Sequence, residues 1–121
     1  MLPRAHRMVD PALFRAVIRD GARAGNAAVV VHCRTDEERR APLVGFVVPK
    51  REIALATKRN RLRRQVRHLV AARLETMPSN IALVIRINGN AVGLSSAELG
   101  VRLDNAMGRA LRKWHDKAGV L

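Results

Sequence analysis

The residues best suited to chemistry lie between Thr57 and Arg73, in the run TKRNRLRRQVRHLVAAR. It holds seven cationic side chains, Lys58, Arg59, Arg61, Arg63, Arg64, Arg67 and Arg73, and acids are absent from Ile53 through Leu74. Arg59, Arg63 and Arg67 follow one another at i, i+4 without a compensating Glu, and like charges at that spacing repel on a helix. Such a face is stable against an anion and costly without one. Arg outnumbers Lys, which favours bidentate phosphate contacts and stacking on bases. Asn60 adds a donor and an acceptor that can meet a base edge, a 2′-hydroxyl or a hydrated metal ion. The chemistry on offer is recognition of a polyanion. Charge alone does not say whether that polyanion is RNA or DNA.

No catalytic set accompanies it. Paired carboxylates, a nucleophile with its base and a phosphate-cradling glycine loop are all missing, and acids gather in the turn at Asp36, Glu37 and Glu38. No His/Asp/Glu constellation has ligand spacing, so neither catalytic residues nor a metal site is expected in the protein. Cys33 is the single cysteine; it excludes an intrachain disulfide and suits a reducing, cytoplasmic setting. The opening MLPRAHRMVD lacks an apolar segment, and no apolar run approaches membrane-spanning length, so neither export nor membrane insertion is expected.

The totals agree. The chain has 121 residues, enough for one domain with a modest core, and its 23 Lys+Arg against 10 Asp+Glu give a net charge of +13. A partner that neutralises such an excess is most often nucleic acid. At 48% hydrophobic residues the chain is too apolar for a disordered tail. Phe14, Phe46 and Trp114 are the only aromatic residues. That scarcity argues against binding a single strand by serial base stacking.

The elements that must position the cations follow from periodicity. Residues 1–9 form a basic arm in which Arg4 and Arg7 either touch phosphate or belong to a frayed end. Asp10-Pro11 is an N-cap followed by a first-turn proline, and Leu13, Phe14, Val17 and Ile18 give a helical stripe closed by Gly21, predicting a helix over 11–20. Residues 22–26 read as a small-residue loop. Ala27–Arg34 and Leu43–Val48 read as strands joined by a charged eight-residue turn in an antiparallel hairpin. Residues 50–56 read as a short strand or irregular loop. Thr57 is the expected N-cap of the basic helix, which should run from Lys58 to about Glu75, ahead of the Met77-Pro78 break. On it Leu62, Val66 and Leu69 form the packing stripe with Val70 at its margin. Arg61, Arg63, Arg64, Arg67, Asn60 and His68 lie opposite, and Arg59 at the boundary. Ile81–Ile87 is apolar enough to sit buried on both faces in mid-sheet. Ser95 or Ser96 caps a last helix whose buried face is Leu99, Leu103, Ala106, Met107, Ala110 and Trp114, with Arg109, Arg112, Lys113 and Lys117 late in it, as the helix dipole favours.

With Lys58-Arg59-Asn60-Arg61-Leu62-Arg63-Arg64-Gln65-Val66-Arg67, and the strand-terminal Val47-Val48-Pro49-Lys50-Arg51 upstream, the chain resembles the protein component of bacterial ribonuclease P. The resemblance also takes in the opening MLPRAHRM and the first helix. It departs in one segment: Pro49 stands for Ser, Glu52 looks inserted, and Ala54-Leu55-Ala56-Thr57 replaces Gly-Asn-Ala-Val. It implies a single α+β domain over 1–121 with element order α-β-β-β-α-β-α and helices packed on a mixed sheet. That fold is ribosomal-protein-S5-domain-2-like, with a left-handed crossover where the default is right-handed. It further implies that Lys58, Arg59, Asn60, Arg61, Arg63, Arg64 and Arg67 bind the catalytic RNA. A central cleft with Phe14, Ile18, His32, Lys50 and Arg51 would bind the 5′ leader of precursor tRNA. Catalysis would rest in the RNA subunit with Mg2+, the protein itself holding no cofactor and joining that RNA as one monomeric copy. A general RNA-binding or ribosomal-type protein and, further off, a DNA-binding architectural protein are the other classes. The last would call for helix-turn-helix spacing or a dimer element, and neither is evident.

Overall fold

The computed structural model describes residues 2–38 and 40–117, the Lys117 side chain excepted. The ends of the expected 1–121 span, and Lys117 as a helix-terminal cation, lie outside the described residues. Pro11–Asp20 forms α1, as its capping signals predict: Asp10 Oδ1 accepts from the Ala12 N–H at 3.0 Å. Gly21 closes the helix through a bond from its N–H to the Val17 carbonyl at 2.9 Å. A Cβ at position 21 would run into the carbonyls of Val17 and Cys33.

The sheet differs from the sequence expectation in three respects. Ala22–Gly25 is a strand, β1, not a loop. It pairs antiparallel with β2, Val29–Thr35, through a turn in which Asn26 Oδ1 accepts from the N–H groups of Ala28 and Val29. Next, β2 and β3, Leu43–Val47, form no hairpin, because β4, Ile81–Ile87, lies between them. β4 pairs antiparallel with β2 (Val31 opposite Ile85) and parallel with β3 (Phe46 opposite Ile85). The most apolar strand takes the place where both faces are covered, as its composition predicts. The charged segment after Thr35 therefore crosses the end of β4 instead of turning back, tied there by Asp36 N–H to the Asn80 carbonyl at 2.9 Å. Finally, of the short strand or irregular loop expected at residues 50–56, the strand does not form. Four strands thus occur in the expected element order, with the extra one before β2 and not after β3.

Two helices pack on one face and one on the other. α2, Ala56–Ala71, buries Leu62, Val66 and Val70; α3, Ser96–Lys117, buries Leu99, Leu103, Ala106, Met107 and Ala110. Both close over Val29, Val31, Cys33, Leu83, Ile85 and Ile87. α3 starts with a reciprocal cap, in which Glu98 N–H donates to Ser95 Oγ and Ser95 N–H to Glu98 Oε1. Trp114 is an anchor of this core, its Nε1–H donating to Thr35 Oγ1 at 2.8 Å. The opposite face holds a smaller core of Met8, Val17, Leu43, Ala82 and Val84 beneath α1. The N-terminal arm is not frayed. Leu2 is fully buried, and the Met8 N–H donates to the Val44 carbonyl at 2.8 Å, which docks the arm beside β3.

α2 departs from its expected bounds. It begins after Leu55 with no side-chain cap, so Thr57 sits inside the first turn. It ends at Ala71, before a 3-10 turn at Leu74–Thr76. Val70, not Leu69, completes the fully buried stripe. A stripe at i, i+4 drifts slowly around a helix, and the sheet here follows that drift.

Candidate nucleic-acid interface

Among the described residues, Arg61, Arg63, Arg64 and Arg67 of α2 form no ion pair with a carboxylate. Arg63, Arg64, Arg67, Asn60 and His68 line a groove of about 690 Å³, and the docked arm adds Arg7 as its far wall. Arg7 is held there by its Nε–H bond to the Leu2 carbonyl at 2.9 Å. Arg63 donates to Asn60 Oδ1 at 3.3 Å, which orients both side chains in the groove. Arg67 lies with its guanidinium carbon 5.8 Å from the centre of the Phe46 ring. That cation–π contact stabilises its position by roughly 0.5–1 kcal/mol. Burial, and then the nearby charges of Arg7 and Arg63, pull the Arg67 pKa down from its ordinary value. Its Nε is buried and meets no acceptor. Several guanidinium groups held close together, one of them short of an acceptor, make a site that an anion relieves.

Not every cation of the run is available. Arg59 turns back on the preceding segment and donates to the carbonyls of Ile53 at 2.9 Å and Ala54 at 2.7 Å. It fixes the path of the chain into α2, the segment with the atypical sequence. Arg73 lies beyond the helix and pairs with Asp104 on α3, which lowers the Asp104 carboxyl and raises the guanidinium. Arg109 and Lys113 donate to the carbonyls of Gly25 and Arg23, covering the exposed edge of β1. Lys58, Arg61 and Arg64 are exposed on α2. Arg4 is exposed in the arm's 3-10 turn and does not line the groove.

A second concavity, of about 720 Å³, opens on the α1 side of the sheet. Ile18 and His32, brought together as the sequence suggested, share it with Arg23, Arg86 and Glu52. His32 stands on β2, the second strand, beside Arg23 of β1. It is only 7% exposed, and its Nδ1 has no hydrogen-bond partner. Burial first, then the charges of Arg23 and Arg86, lower its pKa below 6.5. Phe14 is not in this wall. Its ring packs over Gly45 in the smaller core, where a Cβ at position 45 would fall on the ring. Lys50 and Arg51 are exposed on the turn that leads to Glu52 and do not themselves line the cleft. Two cleft cations escaped the sequence reading. Arg86 is the lone charge in β4 and alternates with Val84, which was signal enough to place it on the α1 face. Arg23 was hidden because its strand reads as a loop.

Among the described residues no group of His, Cys, Asp and Glu is placed to hold a metal ion, and no helix is long and apolar enough to cross a membrane.

Fold and site together define a small α+β domain with a cationic helix groove on one face of a mixed sheet and a cleft on the other. Its residues 2–111 match the family model described as Ribonuclease P. It is 41% identical to the ribonuclease P protein component of Acidothermus cellulolyticus, over 90% of this chain and 91% of that protein. It is 39% identical to that of a Nocardioides species, over 88% and 92%. Among solved structures, a Staphylococcus aureus RNase P protein mutant with defective mRNA degradation activity superposes with a TM-score of 0.82 at 18% identity, over 89% of this chain and 90% of that one. The RNase P protein of Thermotoga maritima gives 0.74 at 21%, over 85% and 96%. The chain belongs to the ribonuclease P protein component family, whose role is tRNA 5′ processing. That membership decides among the three classes the sequence left open.

Proposed function

We propose that this chain is the protein subunit of a cytoplasmic ribonuclease P, one monomeric copy per RNA subunit. Its α2 groove docks on the catalytic RNA, and its α1-side cleft receives the single-stranded 5′ leader of precursor tRNA. The observation that carries this reading is the groove of Arg7, Arg63, Arg64 and Arg67 around Asn60, a cluster of cations with no carboxylate among the described residues that line it. Phosphate contacts of this kind fix position and affinity, while Asn60 supplies the group that discriminates a base edge or hydroxyl.

Phosphodiester hydrolysis is assigned to the RNA subunit with its bound Mg2+. In this reading the protein's side chains take no catalytic part, and the protein is assigned no cofactor of its own. Its contribution is electrostatic. It offsets phosphate repulsion between the two RNAs and holds the substrate leader, which raises affinity for substrate and for the metal ions of the RNA. The leader site relies little on stacking, since Ile18 and His32 line it and Phe14 packs into the core. Contacts to phosphate and sugar from Arg23 and Arg86 in the cleft, and from Lys50 and Arg51 on the exposed turn that leads to Glu52, take a larger share.

Reconstitution tests this. At low Mg2+ the purified protein should stimulate cleavage of precursor tRNA by its cognate ribonuclease P RNA. It should also bind a substrate with a leader of several nucleotides more tightly than one with a single leader nucleotide. Absence of stimulation would sink the subunit assignment, and affinity indifferent to leader length would sink the cleft assignment alone.

A further inference from the structure

The α1-side cleft carries one group that works against binding a polyanion. Its walls bring together Arg23, Arg86 and Glu52, and in a chain of net charge +13 this carboxylate halves the cleft's formal positive charge. The carboxylate is engaged at both oxygens. Oε2 accepts from Arg86 Nη2 at 2.7 Å, and Oε1 accepts from the Gly89 N–H at 3.2 Å. A guanidinium and a main-chain N–H converging on one anion are the donors a phosphate group takes. Arg86 is further steadied by donating from Nε to Asn88 Oδ1 at 3.2 Å. Arg23, two strands away across β2, forms no ion pair among the described residues. The cleft therefore has one open cation and one already occupied by the chain's own carboxylate.

We propose that Glu52 is a specificity-determining residue that masks the anion position formed by Arg86 and the Gly89 N–H. A bound single strand reaches Arg86 only by displacing this carboxylate. The inference rests on the cleft reading given above and adds to it a named competitor for phosphate. Access is not the obstacle, since the Arg86 and Glu52 side chains are 47% and 34% exposed. An ion pair so open to water is a weak tie. Once displaced, the carboxylate stays close to the incoming phosphates and repels them. Glu52 therefore makes the cleft bind leaders more weakly, and with less dependence on salt, than a neutral residue would. It does so without altering the α2 groove, which lies on the other face of the sheet.

Glu52→Gln is the test, because the amide keeps an oxygen for the Gly89 N–H and loses the charge. The holoenzyme is assembled on the cognate RNA subunit, and binding of precursor tRNA is measured for a leader of eight or so nucleotides and for a leader of one. The variant is expected to bind the long-leader substrate roughly three- to tenfold tighter, with a salt slope steeper by about 0.7, the value for one added phosphate contact to a single strand. Its affinity for the one-nucleotide leader and for the RNA subunit should not change. Adding Arg86→Gln should abolish the gain, and thermal melting verifies that both variants are folded. Unchanged or weaker long-leader binding by folded Glu52→Gln overturns the mask and leaves the cleft reading standing. A gain that survives Arg86→Gln overturns it as well. Wild-type affinity independent of leader length overturns the cleft reading and the mask together.

Discussion

The two concavities are similar in size and opposite in electrostatic design. In the α2 groove, Arg7, Arg63, Arg64 and Arg67 stand together with no acid among the described lining residues, and Arg67 Nε is short of an acceptor. In the α1-side cleft, Arg86 is tied to Glu52, His32 is held towards its neutral form, and among the described lining residues Arg23 is the cation without an ion pair. Net charge separates the two regions, four Arg against two Arg and one Glu, and internal pairing separates them further. A groove that stores repulsion favours a permanent polyanionic partner. A cleft that has neutralised part of its own charge favours a ligand that must arrive and leave. This is the division that the proposed roles call for, with the RNA subunit at the groove and the substrate leader at the cleft.

The strongest way to break the comparison is to discharge the groove. Arg63→Ala combined with Arg67→Ala should cost about 3–6 kcal/mol in binding to the RNA subunit, since hydrogen bonds to charged groups are worth about 1.5–3 kcal/mol each. The dependence of log affinity on log salt should also become shallower by roughly 0.7–0.9 per lost phosphate contact. An unchanged slope would place the groove away from RNA. Arg59→Ala is a different experiment, because Arg59 holds the carbonyls of Ile53 and Ala54 and its loss acts through the path of the chain.

A smaller effect sharpens the other side. Phe14→Ala should destabilise the fold by roughly 3 kcal/mol, the low end for such a change because the ring is only partly buried in the smaller core, measurable by urea unfolding. Phe14→Leu, which keeps that core filled, should alter leader affinity little. A loss of about 1–3 kcal/mol in leader binding by Phe14→Leu would instead make the ring a stacking platform.

The smallest effect concerns His32. Its folded pKa is lowered, so the unfolded chain binds the proton more readily, and stability rises with pH in that window. The contribution is complete above the unfolded value near 6.5 and is lost as pH falls from there through the folded value. Urea unfolding at pH 7.5 and at 5.5 should show the wild type weaker at the lower pH. His32→Leu should flatten that difference, and an equal drop in both proteins would remove His32 as its source.

What the sequence revealed depended on how local the signal was. α2 could be recognised because its charges and its apolar stripe lie within one short run, and the capping signals of α1 and α3 are contained in a few residues each. The central place of β4 was visible in its composition, apolar at every position but Arg86. β1 was not visible, because Ala-Arg-Ala-Gly has little β-forming tendency. Its two alanines are buried by packing against α3, and its edge is covered by Arg109 and Lys113 from far along the chain. The β2–β3 pairing expected from adjacency gave way to β4, a better partner for both. At the sites, the Arg7 contribution to the groove and the Glu52–Arg86 pair join residues far apart in sequence, and no periodicity announces either.

Site-directed crosslinking tests the division of labour most directly. Cys33 is buried and its thiol is pushed up to about 12, so it should stay inert to labelling in the folded protein. A photo-crosslinker can then be placed through His68→Cys in the groove or Ala27→Cys at the cleft wall, in the assembled holoenzyme with precursor tRNA. The groove label should join the RNA subunit, and the cleft label the 5′ leader. A groove label that reaches only the leader, or a cleft label that reaches only the RNA subunit, would contradict the account.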